Sequence, residues 1–105
     1  MDNLVVQIEN PPIGFFARLC VKGGDPQDYY GSWGSSTRGY AVVGSHPKGV
    51  HSSDEASAIE SLKKNLTRIV KTLEANRDRR PSQDRTLAVY KAFLGGAKFK
   101  KMRVK

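Results

Sequence analysis

The stretch from Ser52 to about Arg77 constrains this chain more than any other. Ile59, Leu62, Leu66, Ile69 and Leu73 recur at steps of three and four, the spacing that lays side chains along one face of an α-helix. Ala58 and Val70 widen the stripe to the breadth of a core-facing helix. Ser52 stands where an N-cap would, and Glu55 follows at the capping-box spacing. Asp54 and Glu55 suit the positive end of the helix dipole. No glycine or proline interrupts the run before Pro81. The pattern predicts one long helix over about 52–77. A helix with a single apolar face has to bury it against another layer.

The residues before it supply a sheet. Leu4, Val6 and Ile8 alternate with Val5, Gln7 and Glu9, a strand with one buried face. Asn10-Pro11-Pro12 stops it, because proline cannot donate to a ladder. Phe15, Ala17, Leu19 and Val21 alternate with Phe16, Arg18, Cys20 and Lys22, a second strand expected to pair antiparallel with the first. Gly23 to Gly39 reads as a long loop or ragged hairpin. Tyr40 to Ser45 is a third strand, with Ala41 and Val43 on one face, and His46-Pro47-Lys48-Gly49 turns the chain towards the helix.

After the long helix, Asn76 to Arg80 is a polar connector ending at Pro81. Ser82 or Asp84 would cap a shorter helix over about 83–94. It would turn Leu87, Tyr90 and Leu94 inward, with Val89 and Phe93 alongside, and stop at Gly95-Gly96. The basic segment 97–105 slips phase between Phe99 and Met102 and reads as a short edge strand with a bulge rather than a solvated tail. The order is β-β-β-α-α-(β). The expected fold is α+β, a three- to four-stranded antiparallel sheet packed on the long helix, in a single domain over 1–105.

Gly49-Val50-His51-Ser52-Ser53-Asp54-Glu55-Ala56, behind three strands and ahead of a helix, resembles two small modules. These are the double-stranded-RNA-binding domain and the HicB-like antitoxin fold. The resemblance covers roughly residues 4–75 and is architectural, and it implies a three-stranded sheet leading into a helix. Double-stranded-RNA binders place lysines against phosphates at that helix start, whereas this chain has Asp54 and Glu55.

Charge separates the chain into halves. The 105 residues carry a net +8. Residues 1–62 hold four Lys and Arg against seven Asp and Glu, a net −3. Residues 63–105 hold fourteen against three, a net +11. A field of that sign suits phosphates. Lys64, Arg68 and Lys71 fall on the solvent side of the long helix, Arg77, Arg79 and Arg80 in the connector, and Arg85 and Lys91 on the second helix. Lys98, Lys100, Lys101, Arg103 and Lys105 close the chain. The expected nucleic-acid contacts are Lys64, Arg68, Lys71, Arg77, Arg79, Arg80, Lys98, Lys100, Lys101 and Arg103, with Lys64, Arg68, Lys71, Arg79, Arg80 and the terminal lysines foremost.

Tyr29, Tyr30 and Trp33 sit among glycines and serines outside any strand period. Such aromatics stack on bases or anchor a protein interface. Alternatively, Trp33 closes the end of the core and the tyrosines pair across strands. Asp25 and Asp28 flank them and favour a protein partner for this loop.

Other chemistry is thinly represented. The one cysteine, Cys20, cannot form an internal disulfide. His46 and His51 are expected as exposed turn residues, and nothing in the spacing brings either to Cys20, as a cysteine nucleophile would need. No ligand pairs have zinc spacing. Gly23-Gly24 and Gly31-x-x-Gly34 lack the Lys-Ser/Thr of a P-loop. No signal peptide follows Met1 and no apolar run could span a membrane, so a soluble cytoplasmic protein without a cofactor is expected. The sequence therefore predicts a non-enzymatic module that binds DNA or RNA through its basic half. The alternative is a protein-interaction module, such as an antitoxin-like subunit or a small phage or mobile-element inhibitor, that binds an acidic protein or nucleoprotein surface. Self-pairing of an exposed edge strand would make it a homodimer.

Overall fold

Period-two alternation at the start of the chain forms β1 (Leu4–Glu9) and β2 (Phe16–Lys22), paired antiparallel from Leu4 opposite Val21 to Glu9 opposite Phe16. A computed structural model describes residues 3–10, 12–34, 38–47 and 49–104. Leu4, Val6, Ile8, Ala17, Leu19 and Val21 face the core shared with the helices. Val5 and Cys20 join Val42 in a small cluster on the opposite sheet face.

The loop after β2 is more ordered than its composition suggests. Asp25 caps a 3-10 turn, Pro26–Asp28, its carboxylate accepting from the Gln27 N–H at 3.0 Å. Trp33–Gly34 forms a two-residue strand, β3, on the outer side of β4 (Tyr40–Ser45). β4 pairs antiparallel with β2, with Leu19 opposite Gly44 and Cys20 opposite Val42. Val43 is thus the extra residue of a bulge, which bends the strand locally.

The long helix, α1, runs over Glu55–Ala75 and buries Ala58, Ile59, Leu62, Leu66 and Leu73. Its N-cap is Asp54, not Ser52: the Asp54 carboxylate accepts from the Ser57 N–H at 2.7 Å. Ser52 is instead held in an isolated bridge, exchanging backbone hydrogen bonds with Phe15. The second helix, α2, spans Pro81–Leu94 and starts earlier than expected. Pro81 occupies the first helical position, where its missing N–H costs nothing. The Gln83 side chain accepts the Arg80 N–H at 2.8 Å. Gly96, at φ +98°, follows the C-terminus of α2.

The sheet differs from the expected one. It has five strands in the order β3-β4-β2-β1-β5, and the last, β5 (Lys100–Val104), runs parallel to β1. The sheet is therefore mixed rather than antiparallel. The two helices carry the chain from β4 across the core face to the free edge of β1, where Phe99 packs edge-on against Phe93 with ring centroids 5.3 Å apart. Phe99 lies against the main core and Met102 against Val5 and Cys20 on the other face. The phase slip in the sequence is this change of face.

His46 also departs from expectation. It is 1% exposed, while His51 is exposed. The His46 ring tilts against Phe16 with centroids 4.0 Å apart, and its Nδ1 accepts the Ala17 N–H at 3.3 Å. Its Nε2 is buried without a hydrogen-bond partner. Burial pushes its pKa below the ordinary histidine value; the backbone at Val50 and Ala58 opposes the shift, and the nearby His51 and Arg18 add to it.

Two predictions follow from this packing. The unfolded chain binds the His46 proton more tightly than the native one, so stability falls as pH drops through about 6.5. A urea midpoint that declines from pH 7 to pH 5, and declines less in His46→Asn, is expected; an unchanged midpoint would contradict it. At Gly44, a Cβ would lie 2.7 Å from Leu66 Cδ2 and 2.9 Å from the Tyr90 hydroxyl. Gly44→Ala should therefore cost about 1–3 kcal/mol in denaturant unfolding.

Candidate functional site

α1 and the outer side of β4 form the two walls of a cleft, and the loop carrying the aromatics closes one end. That loop is fastened to α2: the Tyr30 N–H donates to Thr86 Oγ1 at 2.8 Å and to the Ser82 carbonyl at 3.3 Å. Arg85 Nη1 donates to the Asp28 carbonyl at 3.3 Å, and Ser32 Oγ to the Val42 carbonyl at 2.7 Å. Tyr29 packs against the core. Tyr30 and Trp33 remain 49% and 45% exposed.

The cleft encloses about 300 Å³ and is lined by Tyr30, Trp33, Val43, Ile69, Leu73 and Tyr90, with Gly44, Asn65, Thr72 and Thr86 among the remainder. At its floor the Tyr90 hydroxyl donates to the Val43 carbonyl. Burial pushes the Tyr90 pKa up to about 12, so the group stays a donor. Asn65 Nδ2 donates to the Ser45 carbonyl at 2.7 Å, and its Oδ1 accepts from Arg68 Nη2 at 2.6 Å. Side chains thus take the carbonyls of β4 where β3 no longer runs beside it.

Two more clefts continue this one. Towards the start of α1, Lys64, Arg68, Ser61, Pro47 and Val50 line the next, and Asn65 belongs to both. Towards the helix joint, Arg80, Asn76, Asp78, Ser82 and Gln83 line another, sharing Tyr30 and Gly31 with the first. The result is one track with cations at both ends and aromatics in the middle. Lys71 lies on the exposed strip of α1 next to Lys64 and Arg68, one helical turn on.

The expected phosphate contacts divide accordingly. Lys64, Arg68, Lys71, Arg77 and Arg80 are exposed, and no ion pair among the described residues engages them. Arg79 is different. Its Nη1 donates to the carbonyls of Leu73 and Asn76, both at 3.1 Å, and its Nε to Asp84 at 2.7 Å. It closes the C-terminus of α1 and fixes the helix joint. Lys91 pairs with Glu74 at 2.9 Å. Lys98, Lys100, Lys101 and Arg103 lie at the opposite edge of the sheet, away from the track. There Arg103 Nε pairs with Glu55 at 2.6 Å, which holds the Glu55 carboxyl below its ordinary value. Lys105 lies outside the described residues.

Cys20 is buried between Val5 and Val42, and burial pushes its thiol up to about 12, so no thiolate forms near neutral pH. Among the described residues no group of three or more His, Cys, Asp or Glu is placed to hold a metal ion, and no helix is long and apolar enough to cross a membrane. Asn65, Thr72 and Thr86 were not singled out by the sequence. Their signal was a polar residue bordering each apolar helical stripe. Comparison with protein-family models, curated proteins and solved structures finds no match.

The two neighbouring arginines should separate on substitution. Arg79→Ala loses hydrogen bonds to two helix-end carbonyls and is expected to cost about 1–2 kcal/mol in urea unfolding. Arg80→Ala, exposed and without an ion pair, should stay within about 0.5 kcal/mol of the parent.

Proposed function

We propose that this protein is a nucleic-acid-binding module without catalytic chemistry of its own, and that it engages phosphates along the α1 side of the track. What supports the reading most is the strip of Lys64, Arg68 and Lys71. These three cations are exposed, unpaired by carboxylates among the described residues, and set on one rigid helix. Glu60, one turn before Lys64, and Glu74, three residues after Lys71, share the helix surface, but Glu74 pairs with Lys91 and neither acid forms an ion pair with the strip. Arg77 and Arg80 extend the same sign past the helix joint. Asp78 is the acidic residue on that stretch of the track.

Phosphate contacts release counterions, so affinity falls steeply with salt. The lysines of β5 carry a separate explanation, since they border an open strand edge that positive charge protects from pairing. Nucleic-acid contact is therefore assigned here to the α1 strip and the helix joint rather than to the whole basic half. The alternative, a protein-binding module, draws on the exposed Tyr30 and Trp33 and predicts a shallow salt dependence.

Binding of labelled DNA and RNA should be measured across a salt series. Replacing Lys64, Arg68 and Lys71 together by Gln should reduce the slope of log affinity against log salt by about 2 to 3. Replacing Lys100 and Lys101 should change it by less than about 1. No binding to either nucleic acid at low salt would overturn the proposal.

A further inference from the structure

We propose that the cleft between β4 and α1 receives an unpaired nucleobase, so that the ligand is a single strand laid along the track. This rests on the phosphate-binding reading above and specifies the ligand class. The cleft holds about 300 Å³, the small end of the range for ligand pockets, and suits one planar ring rather than a larger ligand. Val43, Leu73 and Tyr90 are buried and form its floor, Ile69 and Thr72 on α1 form its open wall, and Tyr30 and Trp33 stand half-exposed at its mouth. Every base has a π-face, so such rings bind bases without regard to sequence.

Charge complementarity names the occupant. Lys64 and Arg68 border the cleft that adjoins at Asn65, and Arg80 the one that adjoins at Tyr30 and Gly31. A strand whose base enters between them runs its backbone towards Lys64 and Arg68 in one direction and towards Arg80, with Asp78 beside it, in the other. A duplex meets the same cations but keeps its bases stacked inside. Reading a duplex takes an element that protrudes into a groove, and this site is concave.

Polar capacity at the wall is partly spent. The Asn65 amide is engaged at both atoms, the Thr72 hydroxyl donates to the Arg68 carbonyl at 3.4 Å, and the Tyr90 hydroxyl donates to Val43. Thr86 Oγ1, which accepts from the Tyr30 N–H, keeps its own hydrogen. The second hydrogen of Asn65 Nδ2 is also left over, as are the Tyr30 hydroxyl and the Trp33 indole N–H at the mouth, so stacking rather than a fixed hydrogen-bond pattern sets the affinity for a base.

Trp33 is the only tryptophan in the chain, so its fluorescence reports on the cleft. The protein would be titrated in about 50 mM salt with a single-stranded oligothymidylate, an abasic strand of equal length, and a duplex. The thymidylate should quench Trp33 and bind about tenfold tighter than the other two, the scale of one stacked base. Trp33→Ala and Thr72→Phe, the second filling the cleft from an exposed helix position, should each cost about tenfold for the thymidylate. Neither should alter abasic or duplex binding, and thermal melts check that both variants fold. Equal affinity for all three ligands, with Trp33 unquenched, would overturn the base cleft and leave the phosphate contacts standing. No binding to any of them would overturn both.

Discussion

The contact of Gly44 with the helices sets the geometry of everything around the cleft. With no side chain at Gly44, Leu66 and Tyr90 come within what would be 3 Å of its Cβ position. Tyr90 can then place its hydroxyl on the Val43 carbonyl. A buried carbonyl left without a donor is costly, and here the carbonyl of the bulge residue Val43 accepts from Tyr90. One residue type and one hydroxyl therefore dock α2 onto β4, and the depth of the cleft is the gap they leave between β4 and α1.

That dependence explains why the aromatic loop is ordered. Thr86 lies on the buried side of α2, four residues before Tyr90, and takes the Tyr30 N–H. Once Tyr90 fixes α2 against β4, Thr86 fixes the loop against α2, and Ser32 ties the same loop to the Val42 carbonyl. Trp33 is held at the rim by a strand pairing of only two residues. Its exposure thus belongs to a supported position, which is what a stacking platform requires.

Periodicity made the faces legible and left the partners invisible. Steps of three and four placed Ile59, Leu62 and Leu66 on the core side of α1, with Leu73 buried further along the helix, and alternation placed Leu4, Val6 and Ile8 in the same core. Neither pattern says beside which strand, or in which direction, the last segment lies. β5 runs parallel to β1 because of where α2 delivers the chain, a long-range outcome that no local window contains. His46 failed for a similar reason. Its turn composition reads as surface, but its ring is buried by Phe16 and by an N–H from Ala17, 29 residues away. Arg79 and Arg80 are indistinguishable in sequence. Only the position of the α1 carbonyls makes the first structural and leaves the second exposed.

The two edges of the sheet show why positive charge alone is a poor guide to a site. β5 offers one open edge, and it carries Lys100, Lys101 and Arg103. Two copies pairing there would bring six cations together, so those residues oppose self-association as much as they attract a ligand. The β4 edge is guarded differently. Beyond β3, the carbonyls of Val43 and Ser45 are taken by Tyr90 and Asn65, which blunts strand addition without placing any charge on the strand. An edge protected by neutral side chains can be lined with apolar surface, and the cations are displaced to the exposed strip of α1. That displacement puts Lys64 and Arg68 beside an apolar cleft instead of inside it, where an unpaired charge would be costly. A phosphate and its base differ in the same way, one charged and solvated, the other planar and apolar. The two surfaces that meet at Asn65 divide along that line.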